Sequence, residues 1–355
     1  MSYLNIKNVK VSGIAACVPG RVENNRDYTL LSPEELENYI NTTGIEHRHC
    51  AIHDGSICTS DLCQKASEEL IEELGWDKSE IGLIIFASQT CDYRLPSTAC
   101  ILQSKLGISN NCIAFDMTLG CPGYMVGLGT ACSLMQNGTI KKALLMCGNT
   151  QSEYACYEDK SMYLLLGDAG TVTALEYNPE DADKMDFKYL TDGSKYDCLI
   201  VPDGGSRNPV NIHSFELEEY DYGVKRTRLH EKMDGEEVFS FAIRNVPKQF
   251  RELCEHEGIN MMEDLDYMLF HQANKFMCEK VRKKLGFPPE KFPYNIEEYG
   301  NTSGATIPLL MVTNLQEELR SRKLSLGMAA VGVGFALCTG RITTDKIIVP
   351  DLLYI

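Results

Sequence analysis

No stretch of this 355-residue chain approaches the ~18 consecutive apolar residues of a membrane span, and MSYLNIKNVKVSG lacks a basic segment followed by an apolar core. A cytoplasmic protein without a membrane span is therefore expected. Positive charge is in deficit, with 34 lysines and arginines against 50 acidic residues and a net charge of −16. General attraction to nucleic acid or anionic lipid is disfavoured, so an acidic partner needs a local basic patch. The 15 cysteines are odd in number and include no Cys-x-x-Cys pair, which argues against a disulfide framework or a zinc ribbon. His47 and His49 stand two apart with no evident third ligand, and no metal is expected.

What is present reads as an α/β chain too long for one typical core, hence two domains or two packed halves. Ser32–Pro33–Glu35 opens a helix as cap, first position and capping-box partner, and Ser60 is expected to cap a second helix over 60–73. Ile81 to Ala87 is a continuous apolar run, the pattern of a strand buried on both faces. Strands alternate with helices to about residue 177, which predicts a layered fold with a mostly parallel sheet. Residues 178–228 turn polar and read as a connecting excursion, so the chain divides into 1–177, 178–228 and 229–355.

FDMTLGCPGYMVGL, Phe115 to Leu128, is the stretch that carries chemistry. A strand ends here and a helix of small residues begins, with Pro122 in the first turn where a missing N–H is tolerated. Cys121 then faces the positive end of the helix dipole, where a thiolate is stabilised as a nucleophile. Two further strand-to-turn junctions hold polar side chains: His271-Gln272-Ala273-Asn274 after DYMLF, and Gly300-Asn301-Thr302-Ser303 before a helix. Ligands in open α/β sheets collect beyond the carboxyl ends of strands.

GCPGY (120–124), HQAN (271–274) and GNTSGATIP (300–308), with TGI (43–45), PSTA (96–99), LGDAG (166–170), MDGEEVFSFAIRNVP (233–247) and the glycine loop 332–340, resemble β-ketoacyl-acyl carrier protein synthase III along nearly the whole chain. The resemblance implies a thiolase-like fold of two pseudo-symmetric βαβαβαββ halves in five αβαβα layers, and a homodimer. It implies Cys121 as acyl-accepting nucleophile, with His271 and Asn301 donating to a malonyl thioester during decarboxylation. The backbone N–H groups of Cys121 and Phe335 would form the oxyanion hole. No cofactor is implied; acyl-coenzyme A or acyl carrier protein and malonyl carrier protein are the expected partners and substrates.

Among substrate-binding positions, the resemblance points to Leu95, reaching across the dimer to the partner's acyl pocket, and to Lys160, Gln272 and Asn274. Asn38 and Thr42 replace the tryptophan and arginine that clamp adenine in primary-metabolism relatives, and the only tryptophan is Trp76. Donor recognition is therefore expected to differ. Lys275, Lys280, Arg282, Lys283 and Lys284 form a basic helix that could dock an acidic carrier. Gln89 occupies the place of the catalytic glutamate of hydroxymethylglutaryl-coenzyme A synthase and cannot act as acid or base. Two other readings are an acyltransferase using a non-malonyl acceptor and a partner subunit of a heteromeric enzyme.

Overall fold

The computed structural model describes residues 2–355. Ile81–Ala87 forms a strand, and its burial on nearly every residue follows from its place inside a sheet covered on both faces. We number the strands of the two main sheets in chain order: β1 Ser2–Ile6, β2 Val9–Val18, β3 Ile81–Ala87, β4 Ile113–Met117, β5 Lys142–Asn149 and β6 Ala169–Tyr177. The remaining five are β7 Met185–Thr191, β8 Tyr267–Phe270, β9 Lys323–Gly332, β10 Ala336–Asp345 and β11 Leu353–Tyr354. One sheet runs β11-β2-β6-β5-β3-β4 and the other β1-β7-β10-β9-β8.

The principal helices are α1 Pro33–Thr43, α2 Thr59–Leu74, α3 Thr98–Lys105, α4 Gly123–Met135, α5 Gly235–Glu257, α6 Lys275–Leu285 and α7 Thr306–Asn314. Helices α2 and α3 cover the outside of the first sheet, α4 and α7 lie between the sheets, and α5 and α6 cover the second. Five layers result: one apolar cluster fills both interfaces of the central helix layer, and two others fill the outer interfaces. Met125, Leu128, Cys132 and Met135, which recur at helical spacing along α4, are all inaccessible to solvent. That is the expected fate of a helix apolar all round.

Several boundaries differ from the sequence reading for identifiable reasons. The sheets are mixed: β5 and β6 pair antiparallel, as do β9 and β10, and only β8 joins the second sheet in parallel. The halves also exchange ends, since β1 pairs with β7 of the second sheet and β11 with β2 of the first. Residues 178–228 are not one excursion. Met185–Thr191 is an internal strand whose Asp186 and Lys188 are buried beside Lys184 and Glu252, so its charges disguised it. Ser32 caps α1 in a capping box with Glu35. Ser60 does not cap α2. Its hydroxyl donates to Asp92 at 2.9 Å from within the helix, while Asp61 accepts the Cys58 N–H.

No helix among the described residues is long and apolar enough to cross a membrane. All 15 cysteines are free thiols.

Candidate active site

Three loops from different halves converge on one cavity of about 300 Å³, lined by Cys121, Asn274, Asn301, Ser303 and Val333 among others. The first loop leaves β4 and turns through Gly120, whose carbonyl accepts the Gly123 N–H at 2.7 Å. Helix α4 starts at Gly123 with Pro122 as its cap residue, so Cys121 stands just ahead of the helix rather than inside its first turn. Gly332 at the end of β9 makes room for it. A Cβ there would lie 2.6 Å from Cys121 Sγ, closer than van der Waals contact allows.

Burial, and then the charge of Glu231, push the Cys121 thiol up to about 11. The Ser303 hydroxyl, 3.9 Å from the sulfur, and the N–H groups of Cys121 and Val333 pull the other way. The resting nucleophile is thus a thiol, not the stabilised thiolate that the helix dipole alone suggests. Its proton leaves as the sulfur attacks.

His271 continues the parallel ladder beyond β8, its N–H donating to Ala329 at 2.9 Å. Only 1% of it is exposed, and burial pushes the imidazole down to about 4, so it is neutral at physiological pH. Nδ1 lies 2.9 Å from Thr306 Oγ1, which lies 3.0 Å from the Ser303 carbonyl. In the structure the Thr306 hydroxyl donates to the Ser303 carbonyl; turning that proton onto Nδ1 places the ring proton on Nε2 and makes Nε2 a donor.

Asn301 is fixed through its backbone: its N–H donates to Leu165 at 2.8 Å, and its carbonyl accepts from Gly167 and Gln151 at 3.0 and 2.7 Å. Arg48, nearly inaccessible, donates to the neighbouring Leu166 carbonyl and pairs with Glu23, so the LGDAG strand is held from behind. The Asn301 Oδ1 accepts the Ser303 N–H at 2.9 Å. That orients the amide and leaves Nδ2, a cavity-side donor, without a protein acceptor among the described residues.

Other expected positions fare differently. Phe335 cannot supply an oxyanion donor, because its N–H donates to the Asp192 carbonyl at 2.9 Å in the β7–β10 pairing and its ring packs on Phe241. Val333, two residues earlier in the same turn, presents its N–H to the sulfur instead. Gln272 is turned away from the cavity, its amide exchanging two hydrogen bonds with Asn295 at 2.9 and 3.1 Å. Asn274 lines the cavity while its Oδ1 caps α6 through the Met277 N–H. Lys160 does not line it, and Leu95 is 83% exposed, away from its own chain's cavity. Gln89 does line it, held by its N–H to Asn149. Glu231 stands in LHEKMD, where no local pattern marks it, and only folding brings it to the cysteine's cavity.

His47 and His49 lie on a short strand, with His49 bonded to the Pro19 carbonyl and His47 beside Glu298. Among the described residues no group of three or more His, Cys, Asp or Glu could hold a metal ion.

A two-sheet, five-layer fold with a half-buried cysteine and an oriented carboxamide on one cavity, and a neutral imidazole buried behind it, defines a thiolase-like acyl-transfer enzyme. Residues 115–193 match the family model for 3-oxoacyl-[acyl-carrier-protein (ACP)] synthase III, and residues 254–342 match its C-terminal counterpart. A β-ketoacyl-[acyl-carrier-protein] synthase III of Clostridium perfringens is 35% identical over 332 residues, 93% of this chain and 96% of that one. Another from Prochlorococcus marinus is 32% identical, covering 94% of each. A crystal structure of a 3-oxoacyl-(acyl-carrier protein) synthase from Burkholderia xenovorans superposes with a TM-score of 0.92 at 36% identity, covering 100% of this chain and 99% of that one. The chain belongs to the β-ketoacyl-acyl carrier protein synthase III family.

Proposed function

We propose that this condensing enzyme takes an acyl group from a thioester onto Cys121 and transfers it to the enolate formed by decarboxylation of a malonyl thioester, giving a β-ketoacyl thioester. The observation that carries this reading is the common cavity of Cys121 and Asn301, with His271 buried and neutral behind it. Attack by sulfur generates an oxyanion that the Cys121 and Val333 N–H groups stabilise, and loss of the thiol leaving group completes acylation. Nε2 of His271 and Nδ2 of Asn301 then donate to the malonyl thioester oxygen. Loss of carbon dioxide leaves an enolate held by these donors, which attacks the acyl carbonyl and expels the Cys121 thiolate.

The acyl donor reaches Cys121 on coenzyme A or on carrier protein. Asn38 and Thr42 are exposed on α1 and offer no stacking surface for adenine. A carrier protein is favoured by the start of α6. Lys275 and Lys280 are exposed and without an acidic partner there, and Phe276, 46% exposed, stacks at 5.4 Å on Phe239 of the cavity wall. Arg282 contributes less than its sequence position suggests, because Glu279 holds it at 2.8 Å and the Phe287 carbonyl accepts from it.

A homodimer fits the edge strand β4, which ends the first sheet with Ile113 52% exposed, and the outward Leu95. In that arrangement Leu95 enters the partner's acyl pocket, where leucine leaves more room than an aromatic residue.

Intact mass after incubation with a panel of acyl-coenzyme A and acyl carrier protein donors tests the loading step. We expect one acyl adduct, absent from Cys121→Ala and formed faster from carrier protein. No adduct from any donor would instead support a non-catalytic partner subunit.

A further inference from the structure

Glu231 has no role in the decarboxylative route, yet it lines the cavity of Cys121 and Asn301. Its backbone is pinned by an N–H to the Tyr154 carbonyl at 2.9 Å, at the start of the short strand Lys232–Met233. No lysine, arginine or histidine lines the cavity among the described residues; the other titratable groups there are Cys121 and Glu236, with Tyr154 behind. Glu231 is half-buried, and desolvation in the cavity, with no hydrogen bond or ion pair to offset it, raises its carboxyl to about 7. A structural carboxylate in such a place is normally paired, because an enclosed charge without a partner is costly.

The reaction derived above also argues against a purely decarboxylative role. Losing carbon dioxide creates the enolate without a base, and a carboxylate in the cavity repels the malonyl carboxylate. The same two donors would hold an enolate made by removing a proton. What that alternative lacks is a base, which Gln89 cannot be and Glu231 can. A carboxylate of near-neutral basicity removes a carbon-bound proton most readily where two carbonyls flank the carbon, which favours a β-ketoacyl thioester over a simple acyl thioester.

We propose that Glu231 is the general base of a second, non-decarboxylative condensation, in which the acyl group on Cys121 is transferred to the α-carbon of a β-ketoacyl thioester. This rests on the Cys121–His271–Asn301 reading. The Glu231 carboxylate takes the α-proton, and the enolate oxygen is held by Nε2–H of His271 and Nδ2–H of Asn301. The α-carbon attacks the acyl carbonyl and a carbon–carbon bond forms as the carbon–sulfur bond to Cys121 breaks. The proton on Glu231 passes to the departing thiolate, restoring carboxylate and thiol. No carbon dioxide is released and no oxidant or reductant is consumed.

The test loads Cys121 with hexanoyl-N-acetylcysteamine, then offers either acetoacetyl-N-acetylcysteamine, a carbon acid without a carboxylate, or malonyl-N-acetylcysteamine. Discharge is read by intact mass and the products by mass spectrometry. We expect a C-acylated acetoacetyl product whose rate rises with pH up to about 7 and then levels, because the base acts only when ionised. In E231Q the ratio of acetoacetyl to malonyl discharge should fall about 100-fold or more, the scale of a lost general base. E231D should fall between the two. E231Q should melt no lower than the parent above pH 7, since it removes an unpaired enclosed charge, so misfolding would be visible. An unchanged ratio in E231Q, a pH-independent rate, or discharge by hydrolysis alone would overturn the inference. Failure of Cys121 to load would instead overturn the reading beneath it.

Discussion

Replacing Cys121 by alanine should lower condensation by roughly 10⁴–10⁶-fold, the range over which removal of an acyl-accepting nucleophile acts. No neighbouring side chain can take its place: Cys147, the other thiol close by, is inaccessible and burial raises it further. Alanine is smaller than cysteine and the cavity absorbs the change, so melting temperature should move little. Malonyl decarboxylation needs only the two donors and should survive in Cys121→Ala. Condensation at near-parental rates in this variant would remove the acyl-enzyme from the mechanism.

The second large effect separates the two half-reactions. His271→Ala and Asn301→Ala should each keep acylation of Cys121 while condensation falls by about 10²–10³, the typical cost of one oxyanion donor. The pH dependence follows from burial. His271 stays neutral down to about pH 4, so condensation should show no histidine titration near pH 6.5. The unfolded chain binds that proton first as pH falls. His271 therefore lowers stability progressively between about pH 6.5 and 4 and has no such effect above. Urea unfolding of parent and His271→Ala across this range checks the sign. A variant as active as the parent, or one that lost acylation and condensation equally, would reassign the residue.

Much of this site is readable from the sequence because its residues stand at ends of strands that local pattern marks clearly. DYMLF ends at His271, and the apolar run Ile81–Ala87 becomes β3 with the same limits. What the sequence hides depends on pairings between distant segments. Which N–H of the turn after β9 faces the sulfur is decided when β10 pairs with β7, which draws Phe335 onto Asp192 and leaves Val333. Gln272 is taken up by Asn295, 23 residues away. Met185–Thr191 reads as linker until Asp186 meets Asn5 and Arg341, and Lys188 meets Glu252, from other segments. Glu231 reaches the cavity only through the fold of residues 192–234, where no periodic pattern announces it. Local pattern marks Cys121, His271 and Asn301 as candidates at the ends of strands, and the resemblance suggests their roles; tertiary pairing decides which turn N–H faces the sulfur and brings in the extra carboxylate.

The most direct test of the central claim is a single-turnover chase: protein acylated on Cys121 is mixed with malonyl carrier protein, and adduct loss, carbon dioxide and β-ketoacyl product are measured together. The account predicts one carbon dioxide and one β-ketoacyl thioester for each acyl group lost from Cys121. An adduct that persists while malonyl carrier protein is present, or that leaves without a new carbon–carbon bond, would contradict it.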